Sequence, residues 1–178
     1  MNKALVCVCL VLTSFSTFAQ EALTPIPSLN VARYMGVWYE IAKYPNFFQR
    51  KCISNTVAQY NPQPDGTVRV FNSCTQEDGK TIDATGQARQ IGEASSPKLE
   101  VRFAPDWLSF LPFVWGNYWV IDIDTDYQLV AVSEPKREYL WVLSRTPTVS
   151  AKTYDELMVR LRAKSLDTSK LERTRQGP

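Results

Sequence analysis

Eight runs of strand-forming residues, at about 37–44, 52–60, 67–75, 82–90, 97–103, 117–124, 127–134 and 138–145, follow one another with few helical interruptions. The connections between them are too short for parallel crossovers, so neighbouring runs pair antiparallel. Eight such strands make a meandering barrel or a sandwich. Tyr60 to Thr67, with two prolines and Asp65-Gly66, reads as a hairpin turn, and Gly92 to Pro97 as another. After Arg145 the period changes. Tyr154, Leu157, Met158 and Leu161 recur at helical spacing behind a capping pair, Thr153 and Glu156, and their apolar stripe needs a surface to pack on, which the outside of a barrel supplies.

The flanks are simpler. Residues 21–30 form an extended lead-in over one end of the fold, Asn30 to Tyr34 make a single helical turn, and Gly36 permits a tight entry into the first strand. Lys170 to Thr174 can add a short strand, after which the tail frays. Lys3, the apolar run Ala4 to Leu12 and Thr17-Phe18-Ala19 before Gln20 have the layout of a cleavable secretory signal. Cleavage after Ala19 leaves one domain, residues 20–178, and no later run approaches the roughly 20 apolar residues of a membrane helix. Cys7 and Cys9 lie inside the apolar stretch without small residues before them, so no lipid attachment is expected.

The formal net charge of +2 falls to about +1 once Lys3 leaves, which provides no electrostatic footprint for nucleic acid. The chain has no histidine, which excludes a Ser-His-Asp triad, His-ligated haem and the usual zinc sites. Neither a metal nor another cofactor is expected.

Three separated motifs carry a resemblance. Gly36-Val37-Trp38-Tyr39-Glu40-Ile41-Ala42 opens the first strand, Thr125-Asp126-Tyr127 sits between two late strands, and Arg145 ends Trp141-Val142-Leu143-Ser144-Arg145. Together they resemble the lipocalin family. Gly116-Asn117-Tyr118-Trp119-Val120 and Tyr139 to Pro147 narrow the resemblance to the subgroup of bacterial outer-membrane lipocalins, apolipoprotein D and plant temperature-induced lipocalins. It implies an all-β fold: an eight-stranded antiparallel up-and-down barrel, or calyx, with one C-terminal α-helix packed outside and a short final strand. It also implies that Trp38 closes the floor under the Arg145 guanidinium, with Gly36, Thr125 and Asp126 structural, and that the protein binds or transports a ligand without catalysis. The anchored bacterial members carry a lipid-attachment cysteine that this chain lacks.

Placing Trp38 inward turns Glu40 and Ala42 inward by strand alternation, and placing Arg145 does the same for Leu143, Trp141 and Tyr139. The resemblance sets the phase that makes Cys52, Ser54, Thr56, Ala58 and Tyr60 inward, followed by Val68, Val70, Asn72 and Cys74. Ala84, Gly86 and Ala88 leave room on the fourth strand. The expected ligand wall is Glu40, Thr56, Ala58, Tyr60, Val70, Asn72, Ala84, Gly86, Leu99, Val101, Tyr118, Val120, Tyr139 and Trp141. It suits a long apolar molecule with one polar head, such as a fatty acid or lysophospholipid, at about 0.8 kcal/mol per buried methylene. Glu40 needs an arginine, a water or the ligand head as partner. The alternative is a barrel filled by its own side chains.

The loops near 45–51, 76–81, 104–116 and 135–137 share the open mouth by alternation along the meander. Two are apolar, with Phe47 and Phe48 in one and Trp107, Phe110, Phe113 and Trp115 in the other. Such a rim serves as a lid, a peripheral contact with membrane lipid, or a dimer surface, so the protein is a monomer or homodimer. With Tyr60 opposite about Thr67, Cys52 falls opposite Cys74, and an exported chain joins them as a disulfide. Export is expected, to the periplasm first, with full secretion as the alternative. An enzyme on the same scaffold and an envelope interaction protein acting through the rim are the competing functions.

Overall fold

The computed structural model describes residues 21–177; the expected signal, residues 1–19, lies outside the described residues. A helical turn α1 (Val31–Tyr34), capped by the Asn30 side chain, leads into β1 (Gly36–Lys43). Then come β2 (Ser54–Pro62), β3 (Val68–Thr75), β4 (Thr81–Gln90), β5 (Lys98–Arg102), β6 (Gly116–Ile123), β7 (Leu129–Ser133) and β8 (Leu140–Ser144). Helix α2 (Ala151–Ala163) and the short β9 (Glu172–Arg173) follow. The sheet runs β2-β3-β4-β5-β6-β7-β8-β1-β9, and β2 also pairs with β1, so it closes on itself. This is the antiparallel barrel with its outer helix and final strand, not a sandwich.

Closure splits the apolar residues into two cores. Trp38, Ala58, Tyr60, Val70, Leu99, Val120, Val132 and Leu143 pack inside with Leu29 and Tyr34. Ile41, Ile121, Leu129, Ala131, Leu140 and Val142 face outward and are covered by Leu157, Met158 and Leu161 of α2. Burying those three side chains contributes about 1.5–3 kcal/mol each, which holds the helix on the wall. Arg160 adds a two-pronged pair to Asp122, at 2.9 and 3.0 Å. The helix begins earlier than its expected capping pair. Ser150 is the N-cap, accepting from the Thr153 amide, so Thr153 lies in the first turn.

The β2–β3 hairpin is also shifted. Tyr60 pairs with Val70 rather than Thr67, because β2 runs on to Pro62 and the turn is confined to residues 63–67. A bulge between Ser54 and Val57, with Asn55 at φ +52°, offsets the register again. Ser54 consequently pairs with Thr75 of the outward row and does not face the interior, and Cys52 lies ahead of the strand. The disulfide to Cys74 forms nonetheless, with Cα atoms 5.5 Å apart. A second bulge, between Glu40 and Ala42, moves Ala42 from its expected inward place into the core beneath α2.

β1 and β2 pair only over Gly36–Tyr39 against Val57–Tyr60. Beyond that point they part, and residues 172–177 fill the seam. Arg173 pairs with Ala42, Arg175 bridges Ser54, and the Gln176 amide donates to the carbonyls of Glu40 and Thr56 at 2.8 and 2.9 Å. The tail therefore does not fray here. Its backbone and amide groups satisfy polar groups that the diverging strands leave open.

Candidate functional site: an open barrel above a tyrosine floor

Trp38 is fully buried at one end of the barrel and donates its indole N–H to the Tyr34 carbonyl at 2.8 Å. The Arg145 guanidinium lies 3.8 Å from the indole centroid and donates to the carbonyls of Val37, Arg33 and Met35 at 2.7–2.8 Å. A cation over an aromatic face, tied to three carbonyls, locks α1, β1 and the end of β8 together. Gly36 has φ +95°, and a Cβ there would come 3.4 Å from an Arg145 nitrogen, so both conformation and space call for glycine. In the adjoining loop Thr125 gives its carbonyl to Arg33 at 3.0 Å. Among the described residues Asp126 bonds through its backbone only, and Asp124 organises the turn, its carboxylate accepting from the amides of Asp126, Gln128 and Leu129.

Above Trp38 three phenols converge. The Tyr118 hydroxyl lies 2.6 Å from that of Tyr34 and 2.9 Å from that of Tyr60. Burial pushes Tyr34 and Tyr118 well above the ordinary phenol range and Tyr60 up to about 12, so all three stay protonated. Val70, Leu99, Val120, Val130 and Val132 close in around this floor and are buried.

The wall opens toward the other end. Register places Asn72, Ala58 and Ala84 side by side on one face, with Val101 opposite Ala88 and Trp141 opposite Val132. Asn72, Val101, Tyr118, Tyr139 and Trp141 stay only partly buried although they continue the inward rows, whereas Thr56 is buried. Tyr139 stacks on Trp141 with centroids 5.7 Å apart. Ala84 lies where β4 has run past the end of β5, since those strands pair only over Gln87–Gln90, and it is exposed. Gly86 does not supply ligand room. A Cβ there would lie 2.7 Å from the Phe103 ring, which takes the space.

Glu40 is 2% exposed and both of its carboxylate oxygens are taken. Gln49 donates to one at 2.6 Å and Thr174 to the other at 2.5 Å, while the Trp141 indole donates to Gln49 at 2.9 Å. The carboxylate thus ties the 45–51 loop, β8 and the tail to one point. Burial raises its pKa, against the lowering effect of the Gln49 and Thr174 bonds and of Lys43. A carboxyl whose pKa is higher folded than unfolded contributes most below its unfolded value, and that contribution is lost as pH rises through the folded value. Glu40→Gln should therefore raise the melting temperature at about pH 8 and change it little at about pH 4, in thermal melts.

At the rim, Phe47, Phe48, Trp107, Phe110 and Phe113 are 69–79% exposed. Trp115 is different. Its ring lies 4.1 Å from the Arg89 guanidinium and 5.1 Å from that of Arg102, and its N–H donates to the Ser109 carbonyl. It is an anchor that folds the 103–115 loop onto the wall. Arg102, buried and bonded to Gln87, Asp106 and the Ala104 carbonyl, holds the start of that loop. Strand alternation gave no reason to single out Arg102, Gln49, Thr174 or Tyr34, whose partners lie in other segments.

A closed antiparallel barrel with a packed floor, a partly open upper interior and one outer helix is the architecture of a calyx for small hydrophobic ligands. The chain belongs to the lipocalin family: the family profile described as a lipocalin-like domain matches residues 29–176. Temperature-induced lipocalin-1 of Arabidopsis thaliana is 43% identical over 160 residues, covering 89% of this chain and 85% of the relative. Outer membrane lipoprotein Blc of Escherichia coli (strain K12) is 33% identical over 162 residues, covering 90% and 87%. Apolipoprotein D of Macaca fascicularis is 31% identical over 151 residues, covering 81% and 75%. Lipocalins as a family bind and carry small hydrophobic molecules.

Proposed function

We propose that this lipocalin holds an elongated lipid, of the fatty acid or lysophospholipid kind, in its barrel and carries it within the cell envelope without altering its bonds. The observation that carries this reading is that Asn72, Val101, Tyr118, Tyr139 and Trp141 of the inward rows stay partly open above the sealed Trp38. A chain lying along that axis exchanges water for the partly open Val101, Tyr118, Tyr139 and Trp141, which contributes about 0.8 kcal/mol per buried methylene before ordering costs. A dozen methylenes reach micromolar affinity on that scale. The Cys52–Cys74 disulfide fits an oxidising compartment, and the periplasm is the compartment we assign.

The exposed aromatics at the mouth suit the transfer of such a lipid to and from a lipid surface, which is the role we assign to Phe110 and Phe113. Native mass spectrometry of the delipidated protein, offered fatty acids and lysophospholipids together, should show uptake of one lipid per chain. Uptake of neither class would overturn the reading and leave a filled barrel.

A further inference from the structure

The three phenols in the floor hold one more proton than their own contacts use. Each is protonated, so the cluster brings three O–H donors, while among the described residues its hydroxyls make only the Tyr34–Tyr118 and Tyr60–Tyr118 contacts. Two protons fill those contacts. The third must reach an acceptor outside the cluster, because a buried donor left unpaired is costly.

Where that proton sits follows from burial. Tyr118 is common to both contacts. If it accepts from Tyr34 and Tyr60 together, its own O–H is free; if it donates to either, the free O–H passes to a residue 1% or 7% exposed. Only Tyr118 is partly open, on the inward row of β6 beside Leu99. The arrangement that leaves the free O–H on Tyr118 is therefore the one in which that proton belongs to a partly open residue of the barrel interior. Burying a carboxylate at this depth is costly, since the cluster offers only neutral donors and Arg145 directs its N–H groups to backbone carbonyls.

Resting on the calyx reading, we propose that the Tyr34–Tyr118–Tyr60 cluster recognises a neutral oxygen at the leading end of the ligand: a hydroxyl, ketone or aldehyde at the tip of a long apolar molecule. A water held there is replaced without loss by such an oxygen, whereas a methyl terminus strands the O–H. The ligand then enters oxygen first and leaves any ionic head at the mouth.

Dodecanoate and its ω-hydroxy derivative separate the alternatives, because they share the carboxylate and differ only at the tip. Titration calorimetry on the wild-type protein should give about threefold tighter binding of the ω-hydroxy acid, the effect of one net hydrogen bond. In Tyr118→Phe the order should reverse, as expected when a hydroxyl enters an apolar floor. Tighter binding of dodecanoate by wild type, at the ratio seen in Tyr118→Phe, would overturn the inference while leaving the calyx intact. Binding of neither acid would overturn this inference, while the calyx reading would stand or fall on lysophospholipid uptake in the native mass spectrum. The wild-type ratio decides the matter even where the variant folds poorly.

Discussion

Arg145→Ala should lower stability by about 3 kcal/mol, the sum expected from a stacked cation and several charge-assisted hydrogen bonds. Three carbonyls, from α1, the residue after it and β1, lose their donor at once, and the fully buried Trp38 loses the group covering its face. Solvent can reach some of these carbonyls, which keeps the loss below that of a sealed ion. Urea unfolding measures the change. Ligand preference should stay as it is, because Arg145 acts beneath the floor and not in the open half of the barrel. A loss under about 0.5 kcal/mol would mean that water replaces every one of these bonds, and the latch assignment would fail.

Removing the disulfide has a comparable expected cost, with a different distribution. The bond closes a loop with a sequence separation of 22, for which chain-entropy arguments give about 3 kcal/mol. Cys52 also ends the segment in which Gln49 reaches Glu40 and Trp141. Cys52→Ala with Cys74→Ala should therefore lower the unfolding midpoint and, at lower denaturant, release the 45–51 loop first. Hydrogen exchange would show this as early loss of protection at the Gln49 and Cys52 amides. Uniform loss across the barrel would place the effect in the unfolded chain alone.

The eight strands and the outer helix were legible because each depends on local periodicity. The inward rows could be read only as far as the first bulge. An extra residue leaves alternation intact on both sides while reversing its phase, which is why Trp38 and Glu40 fall as expected and Ala42 does not. Asn55 does the same to Ser54. Among the floor residues, Trp38 and Arg145 carry family motifs, but Tyr34 sits in a four-residue helical turn with nothing in its neighbours to announce a hydroxyl contact 84 positions away. Thr174 and Gln176 pose the same difficulty, since their contacts with Glu40 span 134 and 136 positions. Gly86 misled because a missing side chain reads as space, and only the structure places Phe103 in it.

The seam between β1 and β2 has a consequence for the order of assembly. Strands β2 to β8 can pair with their sequence neighbours as they appear, by short hairpins and loops. The half of the barrel beyond Tyr39 cannot be completed that way, because its ladder runs through residues 172–177. Contacts of such long sequence separation form late and slowly. During synthesis the incomplete sheet would thus present the unpaired flanks of β1 and β2 until the tail arrives, a period in which the nascent chain is most open to strand pairing with other chains.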